Sequence, residues 1–323
     1  MAEITVLILG EPGPAILRRL SEGLGPEVRI RAAKTADALM ADAAAAQILF
    51  AWIGAREEAR KLMAAAPRLA WVHARYAGLD RFLFPELVES PIPVTNGSGV
   101  FSQSLGEFVI LGVLYFAKFV PRMLRSKAEK HWDNFEVYEI GRQTIGIVGH
   151  GDIGRAAAWR AKALGMRVLA LRRDPSPRAG DEHVDRVYAT KDLLEMLPEC
   201  DYVAVAAPLT PGTKHLIGRR EFAAMKRDAV ILNVGRGPVI DEAAMIDALQ
   251  SGQIRGAALD VFEVEPLPQA SPLWTMENVL ISPHCSDHTK DWLADAADFF
   301  VEQFQRWREG KPLKNVVDKR AGY

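Results

Sequence analysis

The stretch Thr144–Gly154 reads Thr-Ile-Gly-Ile-Val-Gly-His-Gly-Asp-Ile-Gly. Its first half is a short β-branched apolar run, the pattern of a strand buried in a parallel sheet. Its second half sets Gly149, Gly151 and Gly154 in G-x-G-x-x-G spacing, and the alanine-rich Arg155–Leu164 that follows favours helix. Strand, glycine turn and helix in that order form a dinucleotide cradle. The first glycine permits the tight turn, the second lets a pyrophosphate approach the backbone, and the third lets helix and strand pack closely. The helix N-terminus then offers N–H groups and a positive dipole end to the phosphates. Gly149, His150, Gly151, Asp152, Ile153 and Gly154 are the expected cofactor contacts, with His150 facing phosphate. Three glycines alone would also describe an ordinary tight turn; the flanking strand and helix favour the nucleotide.

Around this stretch the chain alternates apolar runs with helical ones. Before residue 98, strands are expected at Ile4–Leu9, Val28–Ile30, Ile48–Trp52, Leu69–His73 and Ile92–Thr95, with helices at Ile16–Leu24, Thr35–Ala44, Arg56–Ala65 and Arg81–Glu89. Such alternation predicts a parallel sheet covered on both faces. Two successive helices, Gln103–Lys118 and Pro121–Asn134, read as a bridge to a second α/β series. Its strands are expected at Ile145–Val148, Arg167–Leu171, Arg186–Tyr188, Tyr202–Ala206, Val230–Val234, Gly256–Asp260 and Val279–Ser282, enough for a full doubly wound sheet. Thr289–Arg308 has an aromatic stripe at helical spacing, which predicts a helix that returns to the first unit and makes it discontinuous. The expected domains are 1–98 with 288–323, and 99–287.

Bulk properties narrow the functional classes. The 323 residues suffice for two domains, and 49% hydrophobic with 25% charged content is that of a soluble globular protein. A net charge of −1 gives no long-range attraction to nucleic acid or an anionic membrane. Only Cys200 and Cys285 are present, which fits a reducing cytoplasm better than a disulfide framework. No signal peptide is expected, because Ile4–Leu9 begins without a basic leader, and Phe108–Val120 is too short to span a bilayer.

Cofactor choice is read at the end of the second strand of the nucleotide sheet. NAD-binding folds place an acid there to hold the ribose hydroxyls. This chain has Leu171-Arg172-Arg173-Asp174 instead. A guanidinium pairs well with a 2′-phosphate, so Arg172 and Arg173 favour NADP. NAD stays possible if the arginines are solvated and Asp174 reaches the ribose.

Three further strands end in loops with useful chemistry, Gly235-Arg236-Gly237, Val261-Phe262-Glu263-Val264-Glu265-Pro266 and Pro283-His284. All leave the carboxyl side of the sheet, as the glycine loop does. In the first unit Ala74-Arg75-Tyr76-Ala77-Gly78-Leu79-Asp80 leaves the carboxyl end of a strand, where open α/β sheets bind ligands. Gly78 would let backbone amides face an anion, although from these residues alone a surface turn with Asp80 capping the next helix is the more common reading.

In the order and spacing of these segments, together with Asn233-Val234 and Ala258-Leu259-Asp260, the chain resembles the D-isomer-specific 2-hydroxyacid dehydrogenases over nearly its whole length. The resemblance implies a Rossmann-type doubly wound parallel sheet inserted into a smaller flavodoxin-like α/β substrate domain. It also implies a homodimer through the nucleotide-binding domain; the appended regulatory domain of some relatives is not expected, since Ala321-Gly322-Tyr323 follows soon after the last helix. By the same resemblance Arg236, Glu265 and His284 are the catalytic residues. Asp260 touches the nicotinamide carboxamide, Pro208 and Val234 line the cofactor, and the backbone of Tyr76, Ala77 and Gly78 grips the substrate carboxylate. Arg75 and Tyr76 are larger than the residues common in that loop, which points to an unusual substrate.

The chemistry asks for these residue types. Hydride transfer to a 2-keto carbonyl builds negative charge on oxygen. A protonated His284 can supply the proton, Glu265 can fix its tautomer and favour its charge, and Arg236 can hold the carboxylate and polarise the carbonyl. The expected function is NADP(H)-dependent reduction of a small 2-keto acid, glyoxylate or hydroxypyruvate. An NAD-dependent dehydrogenase and a corepressor-like nucleotide sensor stand as alternatives; a formate dehydrogenase would not need the Glu265–His284 pair. No metal is expected, since His284, Cys285 and His288 lack a second strong ligand group.

Overall fold

The computed structural model describes residues 3–323. Internal contacts divide the chain into two compact units, one running to Val100 and resuming at Lys290–Tyr323, the other Phe101–Thr289.

The first unit is built on five parallel strands, β1 (Ile4–Leu9), β2 (Val28–Ala33), β3 (Ala46–Ala51), β4 (Trp71–Ala74) and β5 (Val94–Asn96), in the order β2-β1-β3-β4-β5. That order is flavodoxin-like. One face of the sheet puts Leu7, Leu49 and Val72 against Ala59 and Leu62 of the helix Arg56–Ala65. The other face is aromatic. Phe50 stacks on Phe300 with ring centroids 4.0 Å apart, and Trp71 lies 5.4 Å from the same ring. Phe300 and Phe304 belong to the helix Trp292–Arg308, which returns to this unit as expected and packs beside Leu20 and Leu24 of the helix Pro14–Leu24. Two expected helices shorten. Arg81–Glu89 begins only at Pro85, since proline fixes the first helical turn, and Thr35–Ala44 breaks into single turns at Asp37–Leu39 and Met40–Ala43.

The second unit carries seven parallel strands: β6 (Thr144–Val148), β7 (Arg167–Arg172), β8 (Arg186–Ala189), β9 (Tyr202–Val205), β10 (Val230–Asn233), β11 (Gly256–Leu259) and β12 (Val279–Ile281). Their order is β12-β11-β10-β9-β6-β7-β8. The order reverses between β6 and β9, so the crevice at the carboxyl ends of these two strands is the place for a dinucleotide. The helix Ser102–Ala117 packs through its glycines. A Cβ on Gly112 would meet the Leu232 side chain at 2.4 Å, and one on Gly106 would meet the Ala156 backbone at 3.0 Å. No single helix among the described residues is long and apolar enough to cross a membrane. The next helix, expected to reach Asn134, stops at Ala128, because Lys130 turns left-handed (φ 53°) and Arg122 pairs back to Asp133.

Candidate active site

The glycine turn has the shape of a phosphate cradle. Gly149 is left-handed (φ 98°), and a Cβ there would lie 2.6 Å from the Ala207 amide nitrogen. A Cβ on Gly154 would lie 2.2 Å from the Gly149 carbonyl oxygen, so only glycine lets the helix Asp152–Ala163 start this close to β6. Gly151 faces open space, with nothing within 4 Å of its added Cβ, which leaves room for a pyrophosphate. These features, with the helix N-terminus at Asp152 and Ile153, fit a dinucleotide.

Two expectations at the ribose end need correction. His150 does not face phosphate. Its ring is buried, with Nδ1 3.3 Å from an Arg172 nitrogen, and burial pushes its pKa down to about 4. Nor is Arg172 placed to pair with a 2′-phosphate. Its Nε donates to the Asp174 carbonyl at 2.7 Å, its terminal nitrogens bridge both carboxylate oxygens of Asp181, and one also donates to the Ser176 carbonyl. With the His150 contact, all five guanidinium N–H groups are engaged inside the protein. Arg173, the next residue, is exposed.

The three loops with acid–base chemistry come together. Asn233, the last residue of β10, clamps the Arg236 turn by accepting from the Gly235 amide and donating to the Arg236 carbonyl, both at 3.1 Å. Gly237 then packs on the loop after β11, where a Cβ would fall 1.9 Å from the Phe262 carbonyl carbon. Within that loop the Phe262 amide donates to Glu265 Oε1 at 3.1 Å, and Glu265 Oε2 lies 3.0 Å from His284 Nδ1. His284 itself is left-handed (φ 54°). Its loop is tied down by buried Asp260, whose Oδ1 accepts from the Ser282 hydroxyl and from the Cys285 and Ser286 amides.

The electrostatics follow. The bond to Glu265 raises the His284 pKa above its ordinary value; burial and the nearby Arg236 charge oppose the shift without cancelling it. With Nδ1 turned to the carboxylate, Nε2 is the ring atom left to exchange a proton with a ligand. The arrangement can deliver a proton to an oxygen and hold an anion beside it.

In the first unit, Tyr76, Ala77 and Gly78 leave the end of β4. Asn96 holds this loop by donating to the Ala77 carbonyl at 2.6 Å, and the Gly97 amide donates to the Tyr76 carbonyl at 3.2 Å. Gly78 is not among the left-handed glycines. The Arg75 guanidinium lies over the Trp52 and Trp292 rings, 5.0 and 4.7 Å from their centroids, and its Nε donates to the Trp52 carbonyl. No spacing in the sequence marks a positioning role for Trp52, Trp292, Ser282 or Asp181, and Asn233 is legible there only as part of the Asn233-Val234 segment, not as the clamp of the Arg236 turn. Among the described residues no group of three or more His, Cys, Asp or Glu side chains could hold a metal.

A nucleotide cradle beside a histidine–carboxylate pair defines a nicotinamide-dependent oxidoreductase. A family profile, D-isomer specific 2-hydroxyacid dehydrogenase, NAD binding domain, matches residues 110–286. Glyoxylate reductase of Korarchaeum cryptofilum is 35% identical over 265 residues, covering 79% of this chain and 78% of that protein. D-3-phosphoglycerate dehydrogenase of Methanocaldococcus jannaschii is 33% identical over 298 residues; the match covers 90% of this chain and 55% of that longer protein. A D-isomer specific 2-hydroxyacid dehydrogenase from Xanthobacter autotrophicus Py2, solved in complex with NADPH and MES, superposes with a TM-score of 0.86 at 33% identity over the whole of both chains. The chain belongs to the D-isomer specific 2-hydroxyacid dehydrogenase family.

Proposed function

We propose that the protein is an NADPH-preferring reductase of small 2-keto acids of the glyoxylate or hydroxypyruvate type. The observation that carries this reading is the 3.0 Å pair of His284 Nδ1 and Glu265 Oε2 on the same sheet rim as the glycine cradle. When bound, the nicotinamide supplies the hydride. His284, kept protonated by Glu265, gives its Nε2 proton to the carbonyl oxygen as charge builds there, and takes it back in the oxidation direction. Arg236 holds the substrate carboxylate and polarises the carbonyl. Asp260 keeps the His284 loop in place through Oδ1 and faces the nicotinamide carboxamide. Pro208 and Val234 line the cofactor beyond the cradle. The backbone of Tyr76, Ala77 and Gly78 receives the substrate carboxylate, so the first unit is the substrate domain and the second the dinucleotide-binding domain.

NADP preference is supported by the arginine-rich turn after β7 and by the NADPH complex of the Xanthobacter relative. We assign the protein to the cytoplasm, in keeping with two free thiols, and to a homodimer formed through the nucleotide unit, in which Trp132 is 96% exposed and Leu124 and Val137 are exposed as well.

The test is the initial rate of NADPH and NADH oxidation with glyoxylate, hydroxypyruvate, pyruvate and a bulkier 2-keto acid. Fast turnover with NADPH supports the whole reading. Turnover with NADH alone removes the cofactor preference. Cofactor binding without turnover on any acid moves the protein to the nucleotide-sensing class.

A further inference from the structure

The turn between β7 and β8 is organised by a residue that lies nine positions beyond the strand end. Asp181 accepts from both terminal nitrogens of Arg172 and from the Arg178 amide at 3.0 Å. Arg172, buried at the centre, also donates to the carbonyls of Asp174 and Ser176. The turn is therefore wound around one guanidinium, and that guanidinium is neutralised by one carboxylate. The outer part of the turn folds back on the cradle. Arg178 donates to the His150 carbonyl at 2.6 Å, and a Cβ on left-handed Gly180 would lie 2.5 Å from Arg155 Cδ in the first turn of the helix Asp152–Ala163. Burial, then the charges of Arg172 and Arg155, push the Arg178 pKa below its ordinary value. A phosphate dianion there would relieve that crowding.

Building on the NADP reading above, we propose that Asp181 is the positioning residue for cofactor choice. It holds Arg172 as the hub of the turn and presents Arg178, not Arg172, to the 2′-phosphate. Arg172 marks the strand end in the sequence and acts only through the turn it supports.

The experiment titrates 2′,5′-ADP and 5′-AMP into the cofactor-free protein by calorimetry, and reads KM for NADPH and NADH separately from kcat. The unaltered protein is expected to prefer 2′,5′-ADP by about tenfold or more. Arg178→Gln should abolish that preference while leaving 5′-AMP binding unchanged, which also reports an intact cradle. Asp181→Asn should weaken 2′,5′-ADP binding and raise KM for NADPH with kcat retained, because the turn is released and the chemistry is not. An Arg178→Gln protein that keeps its preference overturns the proposal and leaves NADP use standing. So does an Asp181→Asn protein that binds 2′,5′-ADP as well as before or better, since Asp181 would then only mask Arg172. Equal binding of both nucleotides by the unaltered protein overturns the NADP reading itself.

Discussion

Nδ1 of His284 and Oε2 of Glu265 lie 3.0 Å apart, and the other oxygen of the same carboxylate is held by the Phe262 amide at 3.1 Å. The carboxylate cannot turn away without losing a backbone partner, so the histidine meets a fixed negative charge. Glu265→Gln should return the His284 pKa toward about 6.5 and move the alkaline limb of the reduction profile to lower pH. Turnover at neutral pH should fall about tenfold or more. The stability linkage has a defined sign. A raised native pKa stabilises fully below the unfolded value, and that contribution disappears as pH rises through the native pKa. The stability gap between the unaltered protein and Glu265→Gln should therefore narrow in alkali. An unmoved pH–rate profile would separate Glu265 from the proton chemistry.

Gly237→Ala tests the contact between the Arg236 turn and the Glu265 loop. Its Cβ would sit 1.9 Å from the Phe262 carbonyl carbon, and the atoms it meets are the backbone of Phe262 and Glu263, which cannot swing aside as a side chain can. Relief requires the Arg236 turn to part from the Glu265 loop. The expected outcome is a fall of about a hundredfold in kcat/KM, with a loss of roughly 1–3 kcal/mol in stability. Near-normal kinetics would show that Arg236 and Glu265 need no common frame.

His73 is expected to make the first unit acid-sensitive. It is buried beside Phe50, Trp71 and Phe300, its Nδ1 lies 2.7 Å from the Thr95 hydroxyl, and burial pushes its pKa from 6.5 to about 3. The unfolded chain takes up a proton below pH 6.5 that the native state refuses. Stability should therefore fall with acidification from about 6.5, by a limiting 1.4 kcal/mol or so per pH unit. His73→Phe should flatten the dependence of Tm on pH between 6.5 and 4.5. An equal slope in both proteins would trace the acid sensitivity to another group.

Trp132 tests self-association. A side chain 96% exposed and this apolar is costly to leave in water. Trp132→Ser should shift the protein toward monomer in sedimentation, with NADPH binding kept. An unchanged sedimentation coefficient would place the dimer contact elsewhere, and a monomeric unaltered protein would remove it.

Most of the scaffold was legible because it is written locally. Buried parallel strands read as apolar runs, and those before the glycine turn and the acid–base loops ended within a residue or two of expectation. The Arg236, Glu265 and His284 loops could be placed on one rim from strand direction alone. The rest depends on pairing across the chain. Nothing near Arg172 announces that Asp181 will occupy it, and nothing near Asp260 announces the serine and amide donors of 282–286. The charge of Arg172 suggested a ligand contact; the carboxylate that consumes the charge sits beyond two prolines and a left-handed glycine. The helix after Val120 ends short of the expected Asn134 because the backbone turns left-handed at Lys130.

The return of the helix Trp292–Arg308 has a consequence for synthesis. Phe50, Trp71 and His73 are covered by Phe299, Phe300 and Phe304, which the ribosome supplies more than two hundred residues later. Through that interval the first five strands present an aromatic sheet face covered only in part, by the helix Pro14–Leu24, while the seven-stranded unit is made entire from one continuous stretch. The nucleotide unit can thus mature first on the nascent chain. The earlier-made segment waits, open to chaperones and to aggregation, for the last helix to close it.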